Sequence, residues 1–225
     1  MRLSDAFSSI TAAYDDWSHI LINNSYIRNN HTISWINYEP IEMPSLVHRS
    51  DIAMLEGKKQ YSFQIIDDGS ILQLFYSYRN DDEILVKASL AFYHVGILET
   101  TFDKEGNSLL VVDSNIENYD DPLIPWLRID YSPETKHGPL HHSCHMHFGL
   151  FQHARIPISG VPSPRQFIEF IIAMCYPYHY ESKRLDKEGE PLNLTSLRNI
   201  NDSVFPETEG CVFDILPHLR IPRKI

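Results

Sequence analysis

Two pairs of residues in this chain have types and spacing suited to chemistry: Arg128 with Asp130, and His145 with His147. The second pair lies in Pro139-Leu140-His141-His142-Ser143-Cys144-His145-Met146-His147-Phe148-Gly149, and six of the chain's 12 histidines fall between His137 and His153. In an extended strand successive side chains alternate between two faces. His141, Ser143, His145 and His147 then share one face, and His142, Cys144, Met146 and Phe148 share the other, mostly apolar one. The segment from Leu123 to Tyr131 reads the same way, with Trp126, Arg128 and Asp130 on a common face. If these two segments pair, their polar faces merge into one site, with His137, His153 and Arg155 nearby in sequence.

Three uses fit these residue types. In metal-independent RNA cleavage, one imidazole takes the proton of a ribose 2′-hydroxyl, the other protonates the leaving 5′-oxygen, and Arg128 stabilises the charge on phosphorus. Imidazole suits this work because its pKa lies near neutrality. Alternatively, His145 and His147 with Asp130 form a two-histidine, one-carboxylate set for a divalent metal. The third use is structural, with the imidazoles hydrogen-bonded to Asp130 or to backbone. Cys144 falls on the apolar face and is expected in the core rather than as a nucleophile.

The elements that must position these groups form an α+β fold: an antiparallel meander, an N-terminal amphipathic helix and a buried helix after the His-rich strand. Residues 4 to 23 carry Phe7, Ile10, Tyr14, Trp17 and Leu21 as one helical stripe, with Ser4 as N-cap. Strands are expected at 61–66, 71–79 and 84–93, joined by Asp67-Asp68-Gly69-Ser70 and Asn80-Asp81-Asp82. A further hairpin spans 98–112, turning at Lys104-Glu105-Gly106-Asn107, and strands follow at 123–131 and 140–149. The aspartates in these turns serve the backbone rather than a metal. Ser163-Pro164-Arg165-Gln166 opens a helix with a capping box, and Tyr176-Pro177 closes it. That helix is apolar almost all round and is expected to be buried. The whole chain, 1–225, is expected to be a single domain, irregular from 178 onward and ending in a short basic tail.

Composition narrows the function classes. The 19 basic and 30 acidic residues give a formal charge of −11, which argues against a free-standing, non-specific nucleic-acid binder. A local basic site on an acidic chain is still compatible with a nuclease. Cys144, Cys175 and Cys211 form no CxxC pair, so a cysteine-based zinc module is not expected, and a reducing, cytoplasmic compartment fits. No secretory leader or membrane-length apolar run is visible. The nine glycines build neither a phosphate loop nor a dinucleotide fingerprint, and no GxSxG elbow occurs.

Arg128-Ile129-Asp130-Tyr131, His145-Met146-His147-Phe148-Gly149, Arg155-Ile156-Pro157 and Pro162-Ser163-Pro164-Arg165-Gln166-Phe167-Ile168 resemble the bacterial family catalogued as domain of unknown function 2290. That family name implies no activity. The order of an Arg-x-Asp motif followed by a His-rich strand is also similar to the TumE-like toxins of toxin–antitoxin pairs. Those are small sheet-based RNases with an Arg-Tyr-Asp motif. This chain has Ile129 at the tyrosine position, is roughly twice as long and is acidic. The likeness places Arg128, Asp130, His145 and His147 at the shared motif and implies an RNA substrate; from the residue types these four are the expected catalytic groups, with no cofactor expected and a divalent metal as the alternative. The expected function is an intracellular RNase-like effector of a toxin–antitoxin or phage-defence system. A homodimer, or a protein partner encoded nearby, would be compatible with it. The rival is a non-catalytic acidic subunit that holds a basic partner.

Overall fold

The long apolar alternation through residues 71–93 makes the centre of the molecule. In the computed structural model, β5 (Ile71–Tyr78) pairs antiparallel with β6 (Leu85–Tyr93), Leu74 opposite Leu90. Residues 1–41, 43–44, 46–79, 83–95, 98–102, 108–112, 123–133, 143–149, 155–158 and 160–184 are described. The turn residues Asp81, Asp82 and 104–107, the histidines His137, His141, His142 and His153, Cys211 and the basic tail all lie outside them.

On one side of the central pair, β4 (Phe63–Ile65) joins β5 and in turn pairs with β1 (Leu21–Ile22). The hairpin of β2 (Tyr26–Asn29) and β3 (Thr32–Trp35) meets the other end of β5. On the other side β6 pairs with β9 (Trp126–Tyr131), β9 with β10 (Cys144–Phe148), and β10 with β11 (Arg155–Pro157), all antiparallel. A separate hairpin, β7 (Leu98–Phe102) with β8 (Ser108–Val112), connects β6 to β9. This is the expected α+β class, with short connections joining antiparallel neighbours.

One sheet face carries the main core. Leu74, Leu90, Ile129 and Met146 line up across β5, β6, β9 and β10, and each is at most 1% exposed. Two helices cover this face: α1 (Leu3–Trp17), through Leu3, Ala6, Ile10 and Ala13, and α3 (Pro164–Cys175), through Phe167, Ile168, Ile171 and Ile172. Arg165 joins the helices, bonding Asp16 at 2.7 Å and the buried Glu169 at 2.8 Å. The α3 N-terminus forms as expected, with the Ser163 hydroxyl accepting from Gln166 N–H and the Gln166 side chain accepting from Ser163 N–H. Met174 is the exception to its burial, at 60% exposed.

Among the described residues, the other sheet face is covered only in part. There α2 (Arg49–Gly57) packs Ile52 and Leu55 with Val47, Tyr61, Ile71, Ala91, Tyr93 and Ile124 in a second, smaller cluster. Ser89, Arg128, Asp130, His145 and His147 also lie on that face.

Several boundaries differ from expectation. Helix α1 stops at Trp17, because the chain turns there, with Ile20 N–H bonding Trp17 C=O at 2.9 Å, and Leu21 enters the sheet opposite Ile65. Its N-cap is Arg2, not Ser4; the Asp5 carboxylate accepts the Arg2 N–H. Asn29 and Asn30 lie at the turn of the β2–β3 hairpin, with Asn30 at φ 46°. After Tyr176 the chain resumes as α4 (Pro177–Arg184), where irregular structure was expected. Among the described residues no helix is long and apolar enough to cross a membrane.

Candidate functional site

The site is built by two strands whose apolar residues are fixed in the core. In β9, Leu127 and Ile129 enter the main core, which forces Arg128 and Asp130 to the opposite face. In β10, Cys144 and Met146 do the same and force His145 and His147 outward. The register then sets His145 opposite Asp130 and His147 opposite Arg128. Directly opposed residues share a face with Cβ atoms about 4.5–5.5 Å apart. All four groups therefore meet in one square patch, as the alternation predicted.

Arg128 Nε donates to Asp130 Oδ2 at 2.7 Å, and the Ser89 hydroxyl on β6 donates to Asp130 Oδ1 at 2.9 Å. His147 Nε2 stands 3.5 Å from Asp130 Oδ2, longer than an ordinary hydrogen bond. The rings of His145 and His147 lie 4.6 Å apart at 74°. Arg128 rests on the Trp126 ring, 5.7 Å from its centroid. The side chains of Arg128 and Asp130 are 32% and 27% exposed, whereas that of His147 is 10% exposed. The patch is thus open at the ion pair and closed beneath the imidazole.

Burial pushes the His147 pKa down to about 4, and the guanidinium of Arg128 adds to this against the opposing pull of Asp130. His145 and Arg155 contribute in the same direction as Arg128. At neutral pH His147 therefore carries no charge and offers a lone pair. One ring nitrogen can then accept a proton or a metal, while the other keeps its N–H.

Asp130, His145 and His147 could hold a metal, since they bring three ligand atoms within 4.8 Å of one another. The local charge favours an anion instead. Among the described residues of the patch, Arg128 and Arg155 supply two guanidiniums and Asp130 one carboxylate, which is already bonded to Arg128.

A second cluster looks like a hydrolase triad but lacks its wiring. Ser70 Oγ and Asp68 Oδ2 approach the same nitrogen of His94, Nδ1, at 3.3 and 3.2 Å, so no proton can pass through the ring from one to the other. Asp68 also accepts Ser70 N–H at 2.8 Å and the Tyr176 hydroxyl at 2.9 Å. Burial raises its carboxyl pKa, but these hydrogen bonds outweigh that and leave it below the ordinary value. The group is a structural tie between the β4–β5 turn and the end of α3.

Sequence reasoning did not find Ser89, the placement of Arg155 or the role of Gly149. Ser89 was visible as a polar residue on the outer face of its strand, but its partner depends on register. Gly149 has a steric reason: a Cβ there would lie 2.5 Å from Cδ1 and Nε1 of Trp126. Gly149→Ala is expected to push the indole away, costing about 1–3 kcal/mol by overpacking, and to weaken the site by removing the surface on which Arg128 rests. Urea denaturation and the near-ultraviolet tryptophan signal check this; wild-type values for both would refute it.

A family model described as "Uncharacterized conserved protein (DUF2290)" matches residues 18–213. No curated protein and no solved structure matches the chain. The similarity to TumE-like toxins therefore stands on the order of the motifs alone.

Proposed function

Since this chain belongs to the DUF2290 family, whose description carries no activity, we propose its function from its own site: cleavage of phosphodiester bonds in RNA by two imidazoles. The observation that carries this reading is the register of β9 and β10, which sets a guanidinium, a carboxylate and two imidazoles on one face. His147, unprotonated at neutral pH, accepts the 2′-hydroxyl proton as the oxygen attacks phosphorus. The P–O5′ bond breaks, and His145 gives its proton to the departing 5′-oxygen. Arg128 stabilises the charge that builds on the phosphoryl oxygens. Asp130 holds Arg128 in place and faces His147. The setting that suits such an enzyme is an intracellular toxin–antitoxin or phage-defence system.

The test is product chemistry. Full-length protein in EDTA should cut single-stranded RNA to a 2′,3′-cyclic phosphate and a 5′-hydroxyl, and should leave RNA with a 2′-deoxy residue at the scissile position uncut. Cleavage that appears only with added metal, or no cleavage, would refute the acid–base reading. The charge of −11 favours one rival, a non-catalytic subunit that holds a basic partner. That role predicts binding of such a partner with unchanged strength in His147→Ala.

A further inference from the structure

The geometry points to Arg155 as a second phosphate-binding residue, which would make the preferred substrate a single RNA strand extending at least one phosphate beyond the bond being cut. This rests on the phosphodiester reading of the site and extends it to substrate length.

Strand β11 pairs antiparallel with β10 so that Arg155 lies directly opposite His147, whose other neighbour across β9 is Arg128. The row across the face runs Gln73, Ala91, Arg128, His147, Arg155. The adjoining row runs Phe75, Ser89, Asp130, His145, Pro157 and contributes the single carboxylate. The imidazole proposed as base therefore has a guanidinium on each side. Neighbouring strands are about 4.8 Å apart, so the Arg128 and Arg155 backbones are separated by roughly 10 Å. That is wider than one phosphate requires and suits two successive phosphates of one strand, the scissile one on Arg128 and its neighbour on Arg155. Arg155 is exposed, so its head can reach a polymer lying over the sheet.

An arginine on an edge strand often serves only to discourage strand addition. Arg155 is distinguished by its register, and its charge is felt at His147. Planar guanidinium groups are well matched to phosphate oxygens. On a chain with 30 acidic residues, a basic pair bracketing the candidate base concentrates attraction for a polyanion where cleavage would occur.

The experiment compares a dinucleoside monophosphate with an oligoribonucleotide carrying the same scissile step, using wild type, Arg155→Ala and Arg155→Lys. Wild type should prefer the oligomer. Arg155→Ala should reduce that preference about tenfold, mainly through KM, and lower the salt dependence of oligomer binding by about 0.7 in log–log slope, the value of one single-strand phosphate contact. Arg155→Lys should restore part of both. Anisotropy with a 2′-O-methyl oligomer reads binding without cleavage. If wild type cleaves and the preference and slope match in Arg155→Ala, the inference fails and the cleavage reading stands. If no form cleaves but Arg155→Ala loses oligomer binding, the phosphate contact stands and the cleavage reading fails.

Discussion

His147→Ala should lower RNA cleavage by about 10²–10⁴-fold, the usual contribution of a positioned acid or base, and leave a folded protein. His145→Ala should do the same. The effect is expected to be local because both side chains lie outside the two apolar clusters, while their strand is anchored by Cys144 and Met146 on the other face. Wild-type rates in both variants would end the catalytic reading. Stability against pH provides an independent check on His147. With its folded pKa near 4 and an ordinary value near 6.5, the unfolded chain binds a proton that the folded chain refuses between those limits. Wild type therefore loses stability through this group as the pH falls through that window, and His147→Ala does not. The wild-type denaturation midpoint minus that of His147→Ala should therefore fall from pH 7.5 to pH 5. A constant difference would mean that His147 is not held neutral.

Phe167→Ala should be the most destabilising of these substitutions. The side chain is completely buried where α3 meets the sheet. Truncating a core phenylalanine costs about 3–5 kcal/mol, through lost transfer free energy and the cavity left behind. For a chain of this length that lowers Tm by roughly 6–20 °C. Urea denaturation with an unchanged slope would confirm the loss, and a cost under about 1 kcal/mol would show that α3 does not pack as described. The site lies on the opposite face, so kcat well below the transition should stay close to wild type. The two substitutions thus separate the machinery from its support.

Signals that repeat over several residues were legible in advance. The alternation in Trp126–Tyr131 and Cys144–Phe148 placed Arg128, Asp130, His145 and His147 on outward faces, because Leu127, Ile129, Cys144 and Met146 have nowhere better to go than the core. The capping box at Ser163 was equally clear, since its hydrogen bonds close within four residues. Weak or short signals were missed. Helix α2 buries only Ile52 and Leu55, too little for a stripe, and it forms by packing against residues distant in sequence. The stripe from Phe7 to Leu21 suggested a longer helix because Leu21 falls at helical spacing, although a strand partner claims it.

By itself, then, the sequence determined which side chains leave the core and what chemistry they carry, because alternation and capping are local consequences of backbone geometry. Only the tertiary structure decided that His147 sits between Arg128 and Arg155, that Ser89 braces Asp130, and that the imidazole is buried enough to stay neutral. Each of these depends on strand register and on the layers beneath, which are fixed by packing the whole sheet against its helices and are written in no single segment.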